Sequence, residues 1–407
     1  MKQPMKVAII GNGVAGVMTA AELRKHEPDP EALRIDIYTQ EPFDYYSRVR
    51  LPELFGSDLT AYDLSVYDRN WYVNRAVTVH RGAQATGLDR ARKEIVLADG
   101  TRVPYDRLVL ATGAEAVKPG FEGADLPGVF TIREYADADT VRHHAARAGG
   151  DAVVIGGGLL GLETASHLKK AGSGRVSVIE IAPRLLPRQL DETGAALLAS
   201  RLREAGLGIL TGAEVAAVTG KNEAEGVKLA DGRVIAARTV VICMGIRPRI
   251  GLAEAAGLSV NRGVLVNENL ATSDPAIFAA GDAAEFEGTV WGIIPAAIEQ
   301  ARAAAAGILG LKGAAYRPTV PRTTLKTAGV SLTSVGEVTG TLEGKRVFTL
   351  LEPVTGRYEK YILTEGILTG AILFGGTEHL SYVTRMIGKP VDAAEIERYV
   401  SGERYAA

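Results

Sequence analysis

One cysteine, Cys243, stands among 407 residues. That scarcity excludes an intramolecular disulfide and a Cys-rich metal site, and it fits a reducing compartment. Histidine is nearly as sparse, with six in the chain. His143 and His144 fall in a polar helical stretch, and His26, His80, His167 and His379 are scattered without ligand spacing, so no metal centre is expected. The net charge of −2 supplies no broad pull toward nucleic acid or an anionic membrane. No apolar run approaches the length of a membrane span. A core strand at residues 7–10 follows the start so closely that no signal peptide fits, and a cytoplasmic protein is expected. What remains, 46% hydrophobic and 23% charged, is ordinary for a soluble globular chain, and the length calls for two or three domains.

The pattern that organises the chain lies at residues 151–180, DAVVIGGGLLGLETASHLKKAGSGRVSVIE. An apolar run, 152–155, suits a parallel strand buried on both faces. Gly156, Gly158 and Gly161 follow in G-x-G-x-x-G spacing, then a helical pattern to about Ala171, then a second strand ending on Glu180. Such glycines let backbone and helix N-terminus approach a pyrophosphate, and an acid at the strand end can hold a ribose 2′-OH. A second copy occupies residues 6–20, KVAIIGNGVAGVMTA, with Gly11, Gly13 and Gly16. Its second strand ends on Thr39 rather than an acid, which leaves the ribose contact to Gln40 and Glu41.

The duplication continues. LADGTRVPYDRLVLATG at 97–113 echoes LADGRVIAARTVVICMG at 229–245, each an Asp-Gly hairpin turn leading through an apolar strand to a glycine. Two dinucleotide-binding domains of one design are expected, each closing with a β-meander and a last parallel strand. Further on, a strand at 276–280 delivers Gly281 and Asp282 at its carboxyl end, where ligands sit in open α/β sheets. Asp282 there either holds a cofactor hydroxyl or caps a following helix. Residues 291–309 read as a helix with Pro295 in its first turn and an alanine-rich body, and its N-terminal N–H groups can face an electron-rich ring. From about Arg322 the pattern alternates as in strands, with a short helix near 380–386, a small α+β domain without a chemical motif.

Four ordered motifs, the two fingerprints, YDRLVLATG and TSDPAIFAAGDAAE, resemble the FAD- and NAD(P)H-dependent pyridine nucleotide–disulfide reductase superfamily. YYSRVRLPEL at 45–54 resembles its branch of NADH:rubredoxin reductases, nitrite reductase flavoproteins and dioxygenase ferredoxin reductases. The likeness runs from about Lys6 to Gly336 and more weakly beyond. It implies an α/β fold of two Rossmann-like domains plus a small C-terminal α+β domain. The FAD domain is then discontinuous, 1–116 and 247–322, with the NAD(P)H domain at 117–246 and the last domain at 323–407.

By that resemblance Gly11, Gly13, Val14, Ala15 and Gly16 carry the FAD pyrophosphate, Gln40 and Glu41 its adenosine ribose, and Ala85 lies near the adenine. Arg48 lies near the flavin, Thr112 and Gly113 pack along FAD, Gly281 and Asp282 hold the ribityl chain, and Ile294 and Pro295 face the isoalloxazine. Gly156, Gly158, Leu159, Leu160 and Gly161 form the NAD(P)H loop, with Glu163 beside the nicotinamide, Gly245 on the floor and Glu180 on the ribose. Glu163 and Arg48 are the expected catalytic residues. Arg184 and Arg188 can contact adenosine phosphates, which keeps NADPH open, but Glu180 repels a 2′-phosphate and favours NADH.

Two departures shape the functional expectation. Residues 49–54 hold no redox cysteine, and Cys243 sits in an apolar strand as a buried, inert thiol, so a dithiol relay is excluded. Relatives often carry Lys where Glu53 stands, paired with the acid matching Glu163; that pair is absent. Hydride is expected to pass from NADH to FAD and electrons onward to an external rubredoxin- or ferredoxin-type protein. The alternatives are a peroxide-forming NADH oxidase and a redox-sensing flavoprotein of apoptosis-inducing-factor type. Basic Arg317, Arg322, Lys326, Lys345 and Arg346 either greet an acidic partner or are ordinary solvated surface. The tail lacks the His-Glu arrangement of the dimeric disulfide reductases, so a monomer is expected over a homodimer.

Overall fold

The computed structural model describes residues 3–327 and 329–401. The chain divides into two compact units. One takes in the chain up to Arg50, Leu59–Ala116 and Ile246–Thr319; the other takes in Leu51–Asp58, Val117–Gly245 and the chain from Val320.

The first unit is built on a five-stranded sheet ordered Ile277–Ala279, Arg107–Leu110, Met5–Ile10, Leu33–Thr39, Val77–Arg81. All four pairings are parallel. Central strands of such a sheet are covered on both faces, which is why Val7, Ile9, Leu108 and Val109 are almost fully buried. The Val14–His26 and Ile294–Leu309 helices pack together through small residues, with Ala20, Ala297 and Ala305 in one core cluster. Alanine at those positions lets two helix backbones approach closely. A three-stranded antiparallel sheet, Ala85–Asp89, Glu94–Leu97 and Arg102–Pro104, leads into the Arg107–Leu110 strand.

The second unit repeats this plan. Its five parallel strands run Leu207–Thr211, Val176–Glu180, Ala152–Ile155, Thr239–Ile242, Val129–Thr131, and an antiparallel meander of Val215–Thr219, Gly226–Leu229 and Val234–Ala236 precedes the Thr239–Ile242 strand. The Leu159–Lys170 helix joins the strands at Ala152 and Val176. Asp191 caps the Glu192–Glu204 helix by accepting the Gly194 N–H. The C-terminal part is a five-stranded antiparallel sheet ordered Arg322–Thr327, Val330–Gly336, Ile367–Phe374, Arg357–Thr364, Lys345–Glu352, with helices Leu380–Met386 and Ala393–Ser401.

The expected α/β class, the twin sheets and the two meanders are all present. One local reading is corrected, one alternative falls away, and two elements are new. Cys243 lies one residue beyond the Thr239–Ile242 strand rather than inside it; the residue as a whole is partly exposed, while its thiol is buried. Asp282 caps no helix: it sits in the 3-10 turn Gly281–Ala283, and the strand Ala284–Phe286 follows, so the chain turns back into extended structure. The Ala393–Ser401 helix and the edge strand Val129–Thr131 are elements the sequence pattern did not announce.

Candidate dinucleotide-binding sites

The two glycine loops are superposable in their chemistry. Gly11 N–H donates to Tyr38 O at 2.8 Å, and Gly156 N–H to Ile179 O at 2.7 Å. Gly11 has φ +112° and Gly156 φ +116°, values that L side chains rarely adopt. A Cβ on Gly11 would lie 2.1 Å from Ala111 O, and one on Gly156 would lie 2.3 Å from Cys243 O. The third glycines are equally constrained, since a Cβ on Gly16 or Gly161 would sit 2.0 Å from the carbonyl oxygen of Gly11 or Gly156.

The middle glycines differ in kind. Gly158 has nothing within 4 Å of a would-be Cβ, and Gly13 has only an Arg48 guanidinium nitrogen at 3.5 Å. Both are helix N-caps with ordinary extended backbone, φ −80° and −88°, with no side-chain cap and no acid in the first helical turn. Each helix therefore leaves its first N–H groups without a side-chain cap or a neighbouring acid, the arrangement an anionic pyrophosphate requires. In the first loop, Asn12 is buried with Oδ1 accepting the Tyr72 hydroxyl at 3.2 Å, while its Nδ2 meets no protein partner. Trp291 Nε1, ahead of the Ile294–Leu309 helix, is likewise buried without a partner. That helix has Pro295 in its first turn, no cap and no acid there. Orphaned donors and bare helix ends fit the polyanionic, acceptor-rich FAD.

Around the first loop, Glu41 is occupied: the Tyr46 hydroxyl and the Arg48 guanidinium both donate to its carboxylate. Arg48 also lies over the Tyr46 ring, 5.0 Å from its centroid. Arg48 is thus held above Gly13 by the acid expected at the ribose. Gln40 is exposed at the end of the Leu33–Thr39 strand, and Ala85 opens its own strand. Thr112 Oγ1 donates to Arg249 O at 2.9 Å, and Gly113 O accepts Arg249 N–H at 2.9 Å, which fixes the end of the ATG segment. Gly281 adopts φ +79°, where a Cβ would strike Ala15 at 2.8 Å, and its N–H donates to buried Gln300 at 2.7 Å. Asp282 is half-buried beside it, and Ile294 is exposed.

In the second unit, Glu180 receives two backbone donors, Gly157 N–H at 2.6 Å and Ala182 N–H at 2.7 Å. Val14, Ala15, Leu159 and Leu160 occupy the first turns of their helices. Gly245 has φ +99° and open space above its α-carbon, and its carbonyl accepts Val117 N–H at 3.1 Å. Arg184 folds into its own loop and donates to Leu190 O at 3.2 Å and Pro187 O at 3.3 Å, whereas Arg188 is exposed.

Glu163 meets Glu53, the residue that stands where relatives often carry a pairing Lys. Burial first, and then the charge of Glu53, push its carboxyl up to about 7. The segment carrying Glu53 is pressed onto the Leu159–Lys170 helix, since a Cβ on Gly56 would lie 2.8 Å from Ala171 Cα. Cys243 supplies no thiolate: a Cβ on Gly161 would lie 3.4 Å from its Cβ, and burial pushes its thiol up to about 12. Of the basic residues offered to a partner, Lys345 and Arg346 are engaged with Glu337 and Glu397, and Arg317, Arg322 and Lys326 are exposed. Among the described residues no three His, Cys, Asp or Glu gather to hold a metal ion, and no helix is long and apolar enough to cross a membrane.

Comparison with known proteins agrees with this geometry. Residues 5–306 match the model for pyridine nucleotide-disulphide oxidoreductases, and residues 321–390 match the rubredoxin NAD+ reductase C-terminal domain. The chain is 34% identical over 394 residues to a nitrite reductase [NAD(P)H] of Bacillus subtilis, covering 97% of this chain and 48% of that protein. The chain thus spans about half the length of that relative. It is 31% identical to the ferredoxin–NAD(+) reductase component of the biphenyl dioxygenase system of Paraburkholderia xenovorans, covering 95% of this chain and 94% of that one. The crystal structure of a ferredoxin reductase for the CYP199A2 system from Rhodopseudomonas palustris superposes with a TM-score of 0.87 at 26% identity, covering 97% of this chain and 99% of that chain. Twin glycine loops on twin parallel sheets, followed by the small antiparallel domain, place this chain in the pyridine nucleotide-disulphide oxidoreductase family, in its rubredoxin and ferredoxin reductase branch.

Proposed function

We propose that the protein is an FAD-dependent NADH oxidoreductase that passes electrons to a separate small redox protein of rubredoxin or ferredoxin type. The observation that carries this reading is the pair of glycine loops. Each is closed on itself at its first and third glycine and open at its middle one. The first loop, with Arg48, Asn12, Thr112, Gly113, Gly281, Asp282 and Pro295 around it, holds FAD. The second, with Glu163, Glu180 and Gly245, holds NADH. In this assignment the FAD domain comprises 1–116 and 247–322, the NADH domain 117–246, and the C-terminal domain 323–407.

Bound at the first loop, FAD would supply hydride acceptance from a nicotinamide and one-electron donation to a carrier. The chain's own part is positioning and charge. Uncapped N–H groups after Gly13 and Gly158 bind the two pyrophosphates. Glu180, oriented by its two backbone donors, accepts a ribose 2′-OH and repels a 2′-phosphate, which favours NADH over NADPH. The bare N-terminus of the Ile294–Leu309 helix offers its aligned peptide dipoles to negative charge on a reduced ring. With the thiol of Cys243 held protonated, no residue of the chain relays a hydride to a disulfide substrate. One NADH therefore serves two one-electron carriers. The similarity to a ferredoxin reductase supports this over the oxidase and redox-sensor alternatives.

Anaerobic titration of the flavin-loaded protein with NADH tests the first half, and the expected outcome is bleaching of the flavin band by one equivalent. A band that persists under excess NADH overturns the reading. Rapid reduction of an added rubredoxin or ferredoxin, faster than oxygen consumption, is expected in the second half.

A further inference from the structure

We propose that the C-terminal domain positions the adenosine end of the bound dinucleotide, through Tyr358 and Lys360 acting on Asp191. The inference rests on the assignment of the second glycine loop to NADH. Tyr358 and Lys360 alternate along the Arg357–Thr364 strand and so share one face. Both donate to the same oxygen, Asp191 Oδ2, the hydroxyl at 2.6 Å and the ammonium at 2.9 Å. Lys360 is only 5% exposed, and a buried ammonium that ends on a carboxylate is a committed contact.

From Asp191 the connection runs back along the chain without a gap. Asp191 Oδ1 caps the Glu192–Glu204 helix through Gly194 N–H at 3.0 Å. The residue before it, Leu190, is fully buried; its N–H donates to Leu186 O at 2.9 Å and its carbonyl accepts Arg184. Leu186 N–H then donates to Gly157 O at 3.2 Å, inside the glycine loop, and Gly157 N–H donates to Glu180. Leu186 holds φ +48° while fully buried, a conformation a leucine keeps only when its surroundings fix it at both ends. The loop between Glu180 and Asp191 is therefore clamped at one end by the ribose acid and at the other by the C-terminal sheet. Tyr358 and Lys360 are positioning residues: they act through Asp191, and they set where Glu180 and Gly157 stand.

The test uses full-length, flavin-loaded protein with the variants Tyr358→Phe and Lys360→Met. Glu359→Gln serves as the comparison, because Glu359 lies on the same strand but faces Arg357, Tyr361 and His379 instead. The readouts are steady-state kinetics with NADH and equilibrium binding of ADP-ribose, which lacks the nicotinamide. The expected result is a rise of about fivefold in both the KM for NADH and the dissociation constant of ADP-ribose for Tyr358→Phe and Lys360→Met, with kcat within about twofold and Glu359→Gln unchanged in both. Should Lys360→Met fail to fold, Tyr358→Phe, which loses one hydroxyl, decides alone. Unchanged ADP-ribose binding, or an equal loss in Glu359→Gln, overturns the proposal. Wild-type protein that binds neither NADH nor ADP-ribose overturns instead the assignment on which it rests.

Discussion

The Glu180 carboxylate grips the middle of its own glycine loop, accepting Gly157 N–H at 2.6 Å. In the proposed NADH assignment, one acid shapes the phosphate turn and serves the ribose. Glu180→Ala removes both services. The expected outcome is a loss of about tenfold or more in NADH affinity, since hydrogen bonds to a charged group contribute about 1.5–3 kcal/mol each. The preference for NADH over NADPH should shrink in the same variant. Steady-state kinetics with both nucleotides measures this, and an undiminished preference would count against Glu180 as the discriminating group.

Glu163 gives a stability signature with a definite sign. Its folded-state pKa, about 7, lies above the ordinary 4.5 because the carboxyl is buried and Glu53 is nearby. Between those values the folded chain holds a proton that the unfolded chain has released. Stability attributable to this group is therefore highest at low pH, falls as pH rises through that window, and levels off above it. Glu163→Gln should flatten the slope and raise stability at pH 8 by about 1–2 kcal/mol, allowing for the group's partial exposure. Glu53→Lys should lower the Glu163 pKa and weaken the same slope. Urea unfolding at several pH values reads both effects, and an unchanged slope in Glu163→Gln would assign the pH dependence elsewhere.

Glycine-to-alanine changes should separate folding from binding. Gly11→Ala and Gly156→Ala force a Cβ to within 2.1 Å and 2.3 Å of a carbonyl oxygen at a positive φ, and unfolded or insoluble protein is expected. Gly158→Ala meets nothing within 4 Å and should yield folded, flavin-loaded protein that NADH no longer reduces efficiently. Gly13→Ala should fold with lowered flavin content. Flavin absorbance per chain and NADH-driven bleaching distinguish the four.

Cys243→Ala should leave turnover intact. A thiol with a pKa near 12 holds on the order of one thiolate in 10⁵ at neutral pH, too little to act as a nucleophile. Slow alkylation of the native protein and unchanged acceptor reduction are expected. A large loss of turnover with flavin retained would reopen thiol chemistry.

How much of this was legible beforehand follows from how local each signal is. The twin loops could be read because strand, glycines and helix lie within one short stretch, and the glycine demands are set by neighbours a few residues away. The apolar VVICMG predicts a strand through Cys243, yet its pairing strand ends at Ile155, and the register runs out at Ile242. The helix cap is the lesser of two roles that spacing allows Asp282, and it falls away because Ala284 pairs in parallel with Val264, a long-range pairing that overrides the local preference. The company Glu163 keeps with Glu53 is reached through the family resemblance alone, and that of Asp191 with Lys360 depends on segments far apart in the chain. His379, which looked isolated, lies 2.8 Å from buried Glu359. No periodicity reports such meetings.

The unequal footing of the glycines has a consequence for reading chains of this kind. The first and third of each loop answer to the protein's own backbone, so a copy that had ceased to bind anything would still be obliged to keep them. The middle one has an ordinary dihedral angle, and a Cβ there would meet nothing at Gly158 and only the tip of Arg48, at 3.5 Å, at Gly13. Substitution there costs the fold little, and so it is the position at which an idle loop would be free to drift. Both Gly13 and Gly158 are still in place, and in a duplicated architecture that single position is the one to inspect when asking whether each half still has a guest.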